Sequence, residues 1–287
     1  MVTDLAGWIE DAIKSYGATS AENSLGNAAH ERAWGEPLVA FSNGDDSLYQ
    51  KLKADIGAFY FTPAEAFQRA FPGHQVKPQQ LTVISWILPQ TDATRSDHRK
   101  ESRYPSERWA RSRYFGEAFN ASLRRHVANV LNHAGFQALA PVDASFWSKA
   151  VSERYGFSSN WSERHAAHVS GLGTFGLCDG LITAAGKAVR CGSVVARIAI
   201  EPTTRPYADH HAYCLHFTHG KCGKCMGRCP AGAISEAGHD KTKCWDYLQR
   251  VTFEYVKNQF GIETYACGLC QTRVPCESRI PTSPTMG

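Results

Sequence analysis

No apolar run in this 287-residue chain approaches the ~20 residues of a membrane-spanning helix, so no such span is expected. Charge of one sign is also scarce. The 31 basic side chains against 27 acidic ones leave a formal +4, too little to announce nucleic-acid binding by charge alone. Low-complexity tracts and internal repeats are absent. The opening Met1-Val2-Thr3-Asp4-Leu5-Ala6 carries no basic segment followed by an apolar one, and no twin-arginine leader. The expected compartment is the cytoplasm, where thiols stay reduced.

Cysteine, by contrast, is plentiful and unevenly placed. Eight of the ten fall in the 63 residues from Cys214 to Cys276. Within them Cys222-Gly-Lys-Cys225-Met-Gly-Arg-Cys229-Pro230 carries most of the ferredoxin signature for cubane iron–sulfur ligation, and Cys244, Cys267-x2-Cys270 and Cys276 follow. A Cys-x2-Cys turn converges two thiolates on one cluster, whereas the cysteine before proline points to the other cluster. The expectation is two [4Fe–4S] clusters with crossed ligands. Cys214, Cys222, Cys225 and Cys276 hold one, and Cys229, Cys244, Cys267 and Cys270 hold the second. Bacterial ferredoxins place a cysteine three residues before Cys222, where this chain has His219, so Cys214 and His219 both stand as the first ligand. Zinc would explain the paired motifs but not Cys-x3-Cys-Pro; disulfides do not suit a reducing compartment. Cys178 and Cys191 lie outside the segment and read as small buried apolar residues.

The first two thirds of the chain hold more than an electron carrier needs. Thr3–Tyr16 has the apolar spacing of a helix, and Pro37–Phe41 reads as a short strand. Thr62-Pro63-Ala64-Glu65 is a capping box that opens another helix. Leu81–Leu88 is an almost unbroken apolar run of strand length, as in a strand buried on both faces. Residues 90–108 are polar and read as a long surface excursion, and Trp109–Ala134 as one long helix or two. Phe136–Val142 then reads as a strand, and Ser162–Val169 as a short helix. In Gly171-Leu172-Gly173-Thr174-Phe175-Gly176 the glycines permit positive φ and close approach to a large ligand, without the spacing of a dinucleotide fingerprint. Gly180–Ala185 and Val189–Ile200 read as a hairpin about Gly186. The expected class is α+β, with an α/β module over residues 1–203 and a ferredoxin-like two-cluster domain over 204–287.

Taken in order, the Val142-Asp143 strand end, Glu163-Arg164, Gly171-Leu172-Gly173, Cys222 to Ile234, Lys243-Cys244-Trp245 and Cys267-x2-Cys270 resemble epoxyqueuosine reductase, a family related to the corrinoid reductive dehalogenases. The resemblance runs from about residue 80 to 280. It implies a nitroreductase-like cobalamin-binding module joined to a ferredoxin domain, with electrons passing through two clusters to cobalt. It also implies an external donor of ferredoxin or flavodoxin type, and a small-molecule or modified-nucleoside substrate. On this resemblance Asp143 is the proton donor, and Gly171, Gly173 and Phe175 lie against the corrin. Tyr114, Tyr155 and Arg164 are further candidates for orienting substrate, and His165 and His168 share a helix face nearby. Three features depart from the family: only eleven residues follow Cys276, where many members carry a tRNA-gripping tail; Phe146–Trp161 is an extra segment; and Cys270-x5-Cys276 is longer than usual. The first two weaken the case for tRNA. Two rival functions are an electron-transfer protein that activates a partner's metal centre, and an iron–sulfur enzyme without B12.

Overall fold

The computed structural model describes residues 4–282. Thr3 of the first expected helix and residues 283–287 of the cysteine-rich segment lie outside the described residues. In chain order the elements begin α1 (Leu5–Thr19), β1 (Leu38–Asn43), α2 (Ser47–Ile56), α3 (Pro63–Ala70), β2 (Thr82–Pro89), α4 (Asp92–Lys100) and α5 (Glu107–His133). They continue β3 (Ala138–Leu139), β4 (Lys149–Ser152), β5 (Gly156–Ser159), α6 (Glu163–Val169), β6 (Gly173–Phe175), β7 (Leu181–Thr183) and β8 (Val189–Ala196). The last third adds α7 (Leu215–His219), α8 (Lys224–Gly227), β9 (Ile234–Ser235), β10 (Gly238–His239), α9 (Lys241–Tyr247) and α10 (Phe253–Phe260).

The apolar run over Leu81–Leu88 becomes β2, an inner strand of an antiparallel sheet ordered β1-β2-β8-β3. Its alternate residues serve two cores. Ile84, Trp86 and Leu88 pack with Ile13 of α1 and Phe119 and Leu123 of α5 on one face. Leu81 and Val83 meet Phe67 of α3 and Val169 of α6 on the other. Each such side chain contributes roughly 1.5–3 kcal/mol by leaving water. The Thr62 capping box forms as expected: the Thr62 N–H donates to Glu65 Oε2 at 2.9 Å.

Three expectations from the sequence differ. Residues 90–108 are not an open excursion, because Thr91 caps α4, whose Thr94 and His98 are buried. The expected strand Phe136–Val142 shrinks to β3 and a 3-10 turn at Pro141–Asp143. The expected hairpin about Gly186 does not form. β7 pairs with β6, and β8 pairs with β2 and β3. The reason lies at Lys187, whose N–H is taken by the Cys276 carbonyl at 2.7 Å, so the chain crosses there onto the cysteine-rich segment. The extra Phe146–Trp161 segment forms the β4–β5 ribbon, and Phe157 sits near Trp245 of α9.

The two parts of the chain interlock. Arg228 donates to the Glu101 carbonyl at 2.7 Å, and Arg99 pairs with Glu277 at 2.6 Å. Among the described residues no helix is long and apolar enough to cross a membrane.

Candidate functional site

Four thiols line one cavity: Cys214 at the start of α7, Cys222, Cys225 of α8, and Cys276. His219 is not among them. It is exposed, and its Nδ1 lies 2.7 Å from Thr218 Oγ1, so of the two first-ligand candidates the fold brings Cys214 to the cavity. Of the other four cysteines, Cys229 and Cys270 pack against the cluster that holds Cys214 and Cys225, and Cys267 lines a separate cavity. Cys267 feels the charges of Cys244 and Cys229, and Cys270 that of Cys267. The Ala233 N–H donates to Cys229 Sγ at 3.3 Å. Burial, reinforced by Cys244 and Cys229, pushes the Cys267 thiol up to about 12. A thiol in that state loses its proton when a metal takes its place.

The donor set suits iron–sulfur clusters. All ten cysteines are free thiols. Among the described residues no three His, Cys, Asp or Glu side chains meet around a point that would hold one metal ion. A cubane takes one thiolate on each of its four irons, the donor type that lines the first cavity.

Cys178 and Cys191 are both buried, as read from the sequence, but their surroundings differ. Cys191 is buried, with its thiol pushed up to about 12 by burial, as an inert cysteine should be. Cys178, however, accepts a hydrogen bond from Lys187 Nζ at 3.1 Å and packs in one cluster with Cys214 and Cys225, against which Cys270 also lies. No spacing rule signals it, because its neighbours arrive from residues far along the chain.

A second cavity of about 190 Å³ opens beside Cys267. Trp34 and Trp109 wall it, and Gln90, Arg113 and Arg190 supply its polar groups. Gln90 donates to Ser112 Oγ at 2.7 Å, while its buried Oε1 has no partner. Arg113 lies over the Tyr265 ring, 5.1 Å from its centroid. The cavity is smaller than the roughly 300–1,000 Å³ that holds drug-sized ligands. A corrin is larger still, so the cavity as it stands does not fit one.

Asp143 lines neither cavity. Arg124, only 3 % exposed at its side chain, grips both Asp143 oxygens at 2.9 Å and also reaches Glu163 at 3.2 Å and Glu117 at 3.4 Å. Glu117 in turn pairs with Arg190 at the cavity wall. Both Asp143 oxygens are thus engaged by the Arg124 guanidinium. Burial, only partly opposed by Arg124, pushes Glu163 up to about 7. Glu163 is therefore the carboxyl poised to hold a proton near neutrality, and sequence reasoning singled it out only as part of a motif.

Gly171, Gly173 and Phe175 line neither cavity, although Gly176, next to Phe175, lines the first. Gly171 has φ +89°, and an added Cβ would sit 3.2 Å from the Thr204 carbonyl oxygen. A Cβ on Gly173 would collide with the Ile182 carbonyl of the paired strand. Phe175 donates its N–H to the His210 carbonyl at 2.7 Å, and its ring meets those of His165 and His168. Close backbone packing explains these residues without a corrin. His168 Nδ1 lies 2.8 Å from the Gly173 carbonyl oxygen, a structural contact, and burial pushes His165 down to about 3. Tyr114 and Tyr155 are exposed, and Arg164 donates to the Asp179 carbonyl at 2.5 Å.

No protein-family model matches the chain. Over 119 residues it is 29% identical to an epoxyqueuosine reductase of Bacillus anthracis, a match that spans 40% of this chain and 29% of that relative. The chain thus matches under a third of that protein's length. Among solved structures, a catabolic reductive dehalogenase in complex with 3-bromo-4-hydroxybenzoic acid overlays with a TM-score of 0.53 at 15% identity, covering 85% of this chain and 30% of that one. A reductive dehalogenase structure described in terms of B12-dependent dehalogenation gives 0.51 at 14% identity, with the same coverage of both chains. In sequence this chain is similar to epoxyqueuosine reductase, and in fold to the reductive dehalogenases.

Proposed function

We propose that this chain is an iron–sulfur reductase. Cys214, Cys222, Cys225 and Cys276 hold one [4Fe–4S] cluster, and Cys229, Cys244, Cys267 and Cys270 hold the second. An external ferredoxin- or flavodoxin-type protein supplies electrons, and a small molecule is reduced in the cavity beside Cys267. The observation that carries this reading is that Cys214, Cys222, Cys225 and Cys276 line one cavity while Cys267 lines the second. The relative's name adds the reaction class, reduction.

Bound clusters would supply single electrons at low potential. The chain's own residues do the rest. Trp34 and Trp109 exclude water and offer a flat apolar wall, Arg113 and Arg190 favour a substrate with an anionic group, and Gln90 Oε1 accepts a hydrogen bond from it. The test is reduction of small acidic acceptors by the anaerobically purified, dithionite-reduced protein. Reoxidation of the clusters by such an acceptor supports the reading. If the clusters are reoxidised only by a partner protein, the chain is an electron carrier.

A second reading keeps cobalamin, favoured by the reductive dehalogenase-like fold. It requires the Trp109 wall to move. A changed visible spectrum on anaerobic addition of cobalamin at micromolar concentration would support it, and an unchanged one would leave the corrin-free reductase. The relatives' name, epoxyqueuosine reductase, keeps a modified nucleoside as a further candidate substrate, while the cavity of about 190 Å³ favours a smaller one.

A further inference from the structure

Lys187 is 3 % exposed, yet among the described residues its ammonium meets no carboxylate. Its hydrogen-bond partner is the Cys178 sulfur at 3.1 Å. It also lines the cavity of Cys214, Cys222, Cys225 and Cys276, and its N–H is fixed to the Cys276 carbonyl at 2.7 Å. Cys178 packs in one cluster with Cys214 and Cys225 of the first thiol group, and Cys270 of the second packs against that cluster. One buried cation therefore stands where the two groups meet. Thiolate-ligated clusters would bring negative charge to this cavity, and Lys187 is a buried basic group that lines it.

We infer that Lys187 is the counter-charge of the two-cluster unit, placed by the fold to raise the reduction potential of the clusters, and that Cys178 is the non-ligand thiol that links it to both. The inference rests on the proposed iron–sulfur reading. Each reduction adds one electron from the external donor and no bond forms, so the cluster gains one negative charge beside a fixed positive one. Net charge and hydrogen bonds to sulfur are among the levers that set such potentials. Lys187 acts through the clusters and is a positioning residue.

The test uses anaerobically purified full-length protein, with iron and sulfide analysis and an EPR-monitored redox titration. Lys187→Met and Lys187→Gln should keep both clusters and shift at least one midpoint negative by 59 mV or more, a tenfold loss in reduced-to-oxidised ratio for one electron. Lys187→Arg should leave the midpoints near wild type, and Cys178→Ala should retain all the iron. Intact clusters with unchanged midpoints in Lys187→Met and Lys187→Gln overturn the inference. If those two lose iron, retention by Lys187→Arg supports the counter-charge, and equal loss in Lys187→Arg overturns it. Wild-type protein without clusters would instead refute the proposed function.

Discussion

Arg124→Ala tests how the carboxyl network is held. The side chain is nearly inaccessible and joins α5 to the turn at Asp143 and to α6, with two 2.9 Å bonds to Asp143 and one of 3.2 Å to Glu163. Removing one partner of a buried ion pair leaves the other uncompensated and costs about 3–5 kcal/mol. The cost should depend on pH through Glu163. Burial lifts its folded-state value to about 7, above its ordinary 4.5. A carboxyl raised on folding contributes stability that is full below the unfolded value and is lost as pH rises through the folded one. Without Arg124 the folded value climbs further and the loss extends past neutrality. Chemical denaturation followed by circular dichroism should therefore show a larger deficit for Arg124→Ala at about pH 8.5 than at about pH 5.5. A deficit equal at both pH values, or below about 1 kcal/mol, would refute this account of the network.

Gly268→Ala should cost about 2–4 kcal/mol, since φ is +70° and the added Cβ would collide with the Trp109 indole. Tryptophan emission and melting temperature would both move; unchanged values would show that the Cys267 loop is looser than described. Glu163→Gln should flatten the dependence of stability on pH between about 5 and 7, whereas a wild-type slope in that variant would assign the titration elsewhere. Asp143→Asn should lower stability while leaving turnover within about tenfold of wild type. A loss of 10²–10⁴ would restore Asp143 as a general acid.

The sequence made some of this legible for local reasons. β2 showed itself as a continuous apolar run because both its faces are covered, and α3 because Thr62 and Glu65 close a capping box within four residues. The spacing around Cys222 marks two thiols, Cys222 and Cys225, that line one cavity, because they lie within one turn of chain. The rest depends on distant partners. β8 takes its neighbours from residues 82–89 and 138–139, so the local turn at Gly186 misleads. Lys187 and Cys178 gain their meaning from Cys225, Cys270 and Cys276, and Arg124 from three carboxylates on other segments. The α4 signal was present in Thr91, three residues before Thr94, whose N–H it caps, but the charged helix hid it.

Iron and acid-labile sulfide analysis of the anaerobically purified chain tests the central claim most directly. Two four-iron clusters require about eight of each per chain. Cys222→Ala and Cys244→Ala should each remove one cluster from a different group, with distinct EPR signals lost. Zinc without sulfide, or no more than about four irons in the wild-type protein, would contradict the two-cluster account.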